Sequence, residues 1–348
     1  MGSLKKFTLS FALTAWLPLS GCQMGYIFQS AYNQMKLLNA RVPMDKALKD
    51  PKLTEEEKRK LLLAQEVRQF AETELHLVTS KNYSSYVQLD RPYVTYVVSA
   101  APKWELKHYE WSYPFLGRMP YKGYFNEADA KKQEQELIEQ NLDTYLRGVS
   151  AFSTLGWFDD PLLSSMLRYQ DYDLVNTIIH ETVHATLYIK HAGDFNERLA
   201  SFLGAKGAEL FYLKKEGPNS PTLQWVRNDN ADEKRFSDFI SGELKTLGAW
   251  YKTIPEAERA ENKRQEQFRM IQTRFETDVL PQMKTDNYKR FKEAKLNNAR
   301  LLIYKTYMQD LSDFEKLFQK VGGDFRKFLE ACKALEDSKN PDEALKAL

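Results

Sequence analysis

Cysteine is nearly absent from this chain: Cys22 and Cys332 are the two in 348 residues, too few for a disulfide framework. Histidine is almost as scarce, with five copies. An excess of charge of one sign is missing as well. Fifty basic residues stand against 48 acidic ones, and a net charge of +2 gives no reason to expect nucleic acid or an anionic surface as partner. After the N-terminal segment no apolar run approaches the length of a membrane-spanning helix. No internal repeat or low-complexity tract appears. Aromatic residues make up 13% of the chain and supply a sizeable core, enough for two lobes.

Two of the five histidines fall together in His180-Glu181-Thr182-Val183-His184, followed closely by Phe195-Asn196-Glu197. Imidazoles four residues apart on a helix lie on nearly the same face one turn apart, so both can point at one cation. Glu181, beside the first of them, is placed to hold a water and take its proton. Zinc needs neutral nitrogen or carboxylate ligands and one open position, so these residue types point to a metallopeptidase. The bland alternative is a helix with two exposed histidines. Against it, Leu174, Val175, Ile178, Ile179, Val183, Leu187 and Tyr188 make the helix apolar around most of its circumference, and buried histidines need partners.

The third ligand is less defined by pattern. The helix is expected to run to about His191, Gly193 to stop it, and Asp194 to cap a second helix whose first turn holds Glu197. Asp194-Phe195-Asn196-Glu197 is also a capping-box spacing, in which Glu197 would tie down a backbone amide. Glu209, about three turns further on, and His191, suited to a helix C-terminus, are rivals.

HETVH followed by FNERLASF resembles the gluzincin pattern, in which an HExxH helix precedes one bearing an Asn-Glu pair. The closer likeness is to the bacterial putative aminopeptidase family, predicted lipoproteins with a short spacer between the two helices. Blocks at Leu89–Val94, Tyr121–Phe125, Gly148–Pro161 and Asn297–Leu301 share it. Two departures are the lack of cysteine around Trp111-Ser112-Tyr113-Pro114 and Gly204 at a position where the family often continues with an acidic residue. The resemblance implies Zn2+ held by His180, His184 and Glu197, with Glu181 as base. It also implies an edge strand along the cleft, where an extended peptide pairs by main-chain hydrogen bonds. An exopeptidase activity comes from the family name alone. Asp159 or Asp160 could meet the amino terminus of such a substrate, though nothing in the sequence selects them. Tyr307, or its neighbour Tyr304, could place a phenol near a developing oxyanion; core packing is the usual role of tyrosines in such helices.

Lys5 and Lys6 precede an apolar stretch from Phe7 to Leu19, too short to span a bilayer, that ends in Leu19-Ser20-Gly21-Cys22. This resembles a bacterial lipoprotein signal, which implies lipidation at Cys22. Gln23 in the next position is similar to signals that permit sorting to the periplasmic face of the outer membrane. Cys332 then remains, on the apolar stripe Phe325, Phe328, Leu329, Cys332, Leu335, as a buried thiol.

The expected organisation is a signal peptide (1–21), a helical segment (22–75), an α+β catalytic core with the zinc site (76–215) and a helical C-terminal lobe (216–348). Helices are predicted over 26–38 and 54–75, the latter opened by a capping box at Thr54-Glu55-Glu56-Glu57. Strands are predicted over 93–100, within 113–125 and over 144–153, with a helix at about 127–140 between the last two. They make a small mixed sheet ahead of the HExxH helix, a gluzincin-like order. Beyond the turn at 216–221, helices are predicted at about 232–251, 255–279, 286–311 and 313–335. The function read from all this is a lipid-anchored zinc peptide hydrolase, with peptide or protein as substrate. An envelope endopeptidase and a non-catalytic binding or scaffold protein that keeps its zinc are the alternatives.

Overall fold

The computed structural model describes residues 21–79, 81–113, 117–151, 154, 158–307 and 310–348, without the side chains of 21–24, 306 and 307. The chain divides into two compact units, 1–39 and 40–348. Within the first, helix α1 spans Gly21–Asn39 and Cys22 lies in its first turn.

The second unit is α+β. It opens with β1 (Val42–Pro43), α2 (Met44–Ala47), α3 (Glu55–Thr73) and β2 (Ser85–Val87). Six strands and a helix follow or interleave: β3 (Thr95–Pro102), β4 (Trp111–Tyr113), β5 (Gly117–Met119), β6 (Tyr121–Tyr124), α4 (Glu127–Glu139), β7 (Leu142–Val149) and β8 (Leu162–Leu163). From there the chain is helical: α5 (Asp171–Thr186), α6 (Gly193–Glu216), α7 (Pro221–Thr253), α8 (Glu261–Arg274), α9 (Asn298–Tyr307), α10 (Ser312–Lys320), α11 (Phe325–Lys333) and α12 (Pro341–Ala347). The capping box of α3 is formed as its sequence predicts: Glu57 N–H donates to Thr54 Oγ1 at 3.2 Å and Thr54 N–H to Glu57 Oε2 at 2.8 Å.

The strands form three small sheets in place of one. The main sheet has the order β6-β3-β7, antiparallel throughout. β1-β2-β8 is a second, mixed sheet, and β4-β5 pair only with each other. Alternation along the main sheet decides what covers it. Tyr96, Val98 and Ala100 face α4 and pack on Ala130 and Leu137, while Thr95 and Val97 look the other way. Beyond Ala100, Ala101 packs with Ala299 and Leu302 of α9.

Several helix limits differ from their sequence expectations. α7 begins at Pro221 because Ser220 caps it, accepting from Leu223 N–H at 2.9 Å. The helix expected over 286–311 is reduced to α9, since Asn297 uses its carboxamide as a cap, accepting from Arg300 N–H at 2.9 Å. Gly322 and Gly323, with φ of 77° and 74°, break the segment expected over 313–335 into α10 and α11. Cys332 is fully buried with its predicted stripe, and burial pushes its thiol up to about 12.

Asp143 of β7 anchors the helical lobe to the sheet. Its carboxylate pairs with the fully buried guanidinium of Arg264 in α8 and accepts from Asn298 N–H at 2.9 Å. Asn298 donates in turn to the carbonyls of Pro102 and Lys103, and Asn297 to that of Thr144. The Asn297-Asn298 block therefore joins α9 to the ends of β3 and β7.

Candidate metal centre

α5 carries His180, Glu181 and His184, and its apolar residues bury it: Leu174, Val175, Ile178, Ile179 and Val183 are all fully enclosed. The helix stops at Thr186, short of the expected His191. Leu187 turns to extended backbone (φ −143°, ψ 116°), and Thr186 bonds the carbonyl of Thr182 while accepting from Val78 N–H. His191, at φ 66°, lies in the connection and not on the α5 face. Gly193 starts α6 instead of stopping α5, and Asp194 sits in the first turn without capping it.

The six-residue connection 187–192 is tied by Asn196, whose carboxamide accepts from Ile189 N–H at 2.9 Å and donates to Ile189 C=O at 2.8 Å. Glu197, the next residue, is thereby presented to α5. α6 then runs back along α5 at close range, because Gly204 and Gly207 present no side chain to it. A Cβ on Gly204 would collide with Asn176 Oδ1, and one on Gly207 would lie 2.7 Å from Leu75 and 3.1 Å from Ile179. This packing is the reason Gly204 occupies its position.

The result is a triangle of donors. His180 Nε2 and His184 Nε2 are 3.2 Å apart, and the Glu197 carboxylate stands 3.6 Å from the first and 3.5 Å from the second. A tetrahedral zinc with bonds of about 2.0–2.1 Å separates its ligand atoms by about 3.3–3.4 Å, close to these edges. His184 Nδ1 is buried without a hydrogen-bond partner, and it would carry the proton when Nε2 is a ligand. His180, His184 and Glu197 could thus hold a divalent cation. Apart from Cys22, the residues whose side chains are not described include no His, Cys, Asp or Glu, so they supply no further ligand of these types.

The electrostatics suit that task. Burial, with the adjacent charge of His180, drives His184 down to about 4, so it is neutral and free to coordinate. Burial also disfavours charge on His180, but the carboxylates of Glu197, Glu181 and Glu233 outweigh it and hold that imidazole above its ordinary value. Burial pushes the Glu181 carboxyl up to about 7, with Glu197 and Asp160 adding to the rise and His180 opposing it. Burial would raise Glu197 too, yet the two histidines and Arg147 bring it below the usual range.

All four residues line a cleft of about 470 Å³. Its roof is the free face of the main sheet: Thr95 and Val97 of β3, Tyr121 and Gly123 of β6, Arg147 and Val149 of β7. The edge strand β6 contributes, as the resemblance implied, but within a three-strand face. A larger cleft of about 1220 Å³, around Trp104 and Lys245, has no histidine or aspartate in its lining.

Residues 25–348 match the model of a family described as "Putative aminopeptidase". The chain belongs to this family. Searches of curated proteins and of solved structures gave no match.

Across the family region the other sequence candidates divide. Glu209 is held by Arg227 at 2.8 Å, far along α6. Tyr304 packs its ring against Phe236 and Phe291 in the core of the helical lobe, at 5.4 and 5.7 Å between centroids. Tyr307 ends α9 and its side chain lies outside the described residues, as do residues 152–153 and 155–157 of the block upstream of the site. Asp159 and Asp160 do not line the cleft; the buried Asp160 accepts from Thr154 N–H at 2.8 Å. Asn176, Thr177, Arg147 and Tyr169 are lining residues that escaped sequence reasoning. Asn176, four residues before His180, shares its helix face and was legible by spacing. Arg147 and Tyr169 reach the cleft only through the sheet register and through the turn where buried Lys60 donates to the carbonyls of Leu167 and Tyr169.

Proposed function

We propose that the protein is a zinc-dependent peptide hydrolase whose metal ligands are His180, His184 and Glu197. The observation that carries this reading is the convergence of three donor atoms, all within 4.8 Å of one another, beside the half-buried Glu181 in a cleft. A zinc ion held there supplies Lewis acidity, polarising a peptide carbonyl and acidifying a water.

The chain's own residues do the rest. Glu181, in the cleft wall beside the donor triangle, accepts the proton of the attacking water and delivers it to the leaving amine. His184, kept neutral, offers Nε2. Thr95 and Val97 form an extended face over the cleft that orients the peptide. The family description supports a peptidase, and an aminopeptidase is its finer form. The sequence at Leu19-Ser20-Gly21-Cys22 supports lipidation at Cys22 and a place in the bacterial envelope, on the periplasmic face of the outer membrane. A structural zinc would favour a binding or scaffold protein, but three protein ligands suit a catalytic centre better than a structural one.

The test is Glu181→Gln, with the zinc-loaded protein and variant assayed on a peptide library. Zinc content should persist while hydrolysis falls by at least about a hundredfold. Equal rates in the two proteins would overturn the mechanism, and cleavage by neither would favour the scaffold reading.

A further inference from the structure

The charged groups in the lining of the cleft are few. Among the described residues, its carboxylates are Glu181 and Glu197, and apart from the two histidines its one cationic side chain is Arg147. The residues outside the description contain neither Asp nor Glu, so none of them adds a carboxylate to the cleft. Recognition of a peptide's amino terminus needs a carboxylate for the ammonium. In the proposed function Glu197 is a ligand and Glu181 the base, which leaves no other in the lining.

Arg147 is placed for the opposite charge. On β7 it pairs in register with Val97 of β3, which pairs with Gly123 of β6, so one row of the sheet roof reads Gly, Val, Arg. Gly123 leaves its end of that row open; a Cβ there would meet only Val97, at 4.0 Å. The next residue, Gly148, is packed directly against the ring of Tyr93, where no side chain fits, and this holds the strand at Arg147 in place. Arg147 and Glu197 line the same cleft, Arg147 from the sheet roof and Glu197 from α6. A guanidinium on a half-buried wall between Val97 and Val149 binds a planar carboxylate in a forked, charge-assisted contact.

We propose that Arg147 receives a carboxylate of the substrate, so that the enzyme prefers peptides carrying one, at the C-terminus or on an acidic side chain, close to the scissile bond. Arg147 is then a specificity residue of the proposed site, and the inference rests on the peptidase reading. The expected preference runs toward peptides that bear a carboxylate near the scissile bond.

The experiment uses the full chain and three matched peptides: one with a free C-terminus, its C-terminal amide, and an amide with a glutamate beside the scissile bond. The zinc-loaded parent should favour the acid over the neutral amide by about tenfold or more, expressed in KM, as the loss of one charge-assisted contact implies. The third peptide decides whether the carboxylate is terminal or borne by a side chain. Arg147→Gln should bring the acid-to-amide ratio close to one, and Arg147→Lys should keep part of it. A readout independent of hydrolysis is calorimetric titration of the zinc-free protein with N-acetyl-alanyl-alanine and with its amide, where Arg147→Gln should lose the difference. Equal handling of all three peptides by the parent would overturn the proposal even if no variant folded. So would a fall in kcat common to all peptides in Arg147→Gln, which would put the guanidinium on the reacting carbonyl. If the parent cleaves no peptide but N-acetyl-alanyl-alanine binds through Arg147, the peptidase reading fails and the carboxylate site stands.

Discussion

Asn196 closes a loop on Ile189, accepting from its N–H at 2.9 Å and donating to its carbonyl at 2.8 Å. Both residues are buried. The pair fixes the length and direction of the connection between α5 and α6, and so sets the position of Glu197 relative to the two histidines. Asn196 acts on the donor triangle without belonging to it.

Asn196→Ala should leave the Ile189 N–H buried without a partner and its carbonyl with only the Ala192 N–H, at 3.3 Å, at a cost of about 1–3 kcal/mol. Zinc affinity should fall as well, because Glu197 loses its fixed approach. Urea unfolding and a competitive zinc chelator measure the two effects. Unchanged affinity would mean that Glu197 is held by other contacts.

The ligand set makes a graded prediction. His180→Ala or His184→Ala should abolish stoichiometric zinc binding, and Glu197→Ala should weaken it strongly. Metal analysis of the purified variants reads this directly, and full zinc in all three would remove the site.

Glu181 should leave a pH signature in the zinc-free protein. Its carboxyl lies near 7 when folded, against 4.5 as the ordinary value. Between those limits the folded state keeps a proton that the unfolded chain has released, so this group lowers stability as pH rises through the window. The full penalty, up to ~3 kcal/mol, applies above the folded value and vanishes below about pH 4.5. Glu181→Gln cannot titrate, so it should be more stable than the parent at about pH 8 and lose that advantage toward pH 4.5. Parallel stability curves for the two proteins would contradict the buried, raised carboxyl.

Cys22→Ser should block lipid attachment and leave soluble or uncleaved precursor. Incorporation of radiolabelled lipid and membrane fractionation test this, and an unchanged result in both would refute lipidation at Cys22.

Local chemistry made much of this protein legible from the sequence alone. Thr54 and Glu57 form the predicted capping box, the stripe around Cys332 is buried, and the strands expected over 93–100 and 144–153 form at 95–102 and 142–149, two residues later in the first and ending four residues earlier in the second. The pairing of His180 with His184 was legible for the same reason, since a helix of period 3.6 brings residues i and i+4 to one face whatever surrounds it.

What the tertiary structure decided are relationships that no local period encodes. Glu197 as capping residue or donor depended on where α5 ended, and that was settled by Leu187 turning extended and by Asn196 reaching back to Ile189. Gly204 became interpretable once α6 lay against Asn176. Arg147 entered the cleft through strand register, in which a shift of one residue would have turned it to the α4 face. Tyr304 went to the aromatic core because burying its ring against Phe236 and Phe291 removes apolar area from water, and that depends on partners far away in the chain.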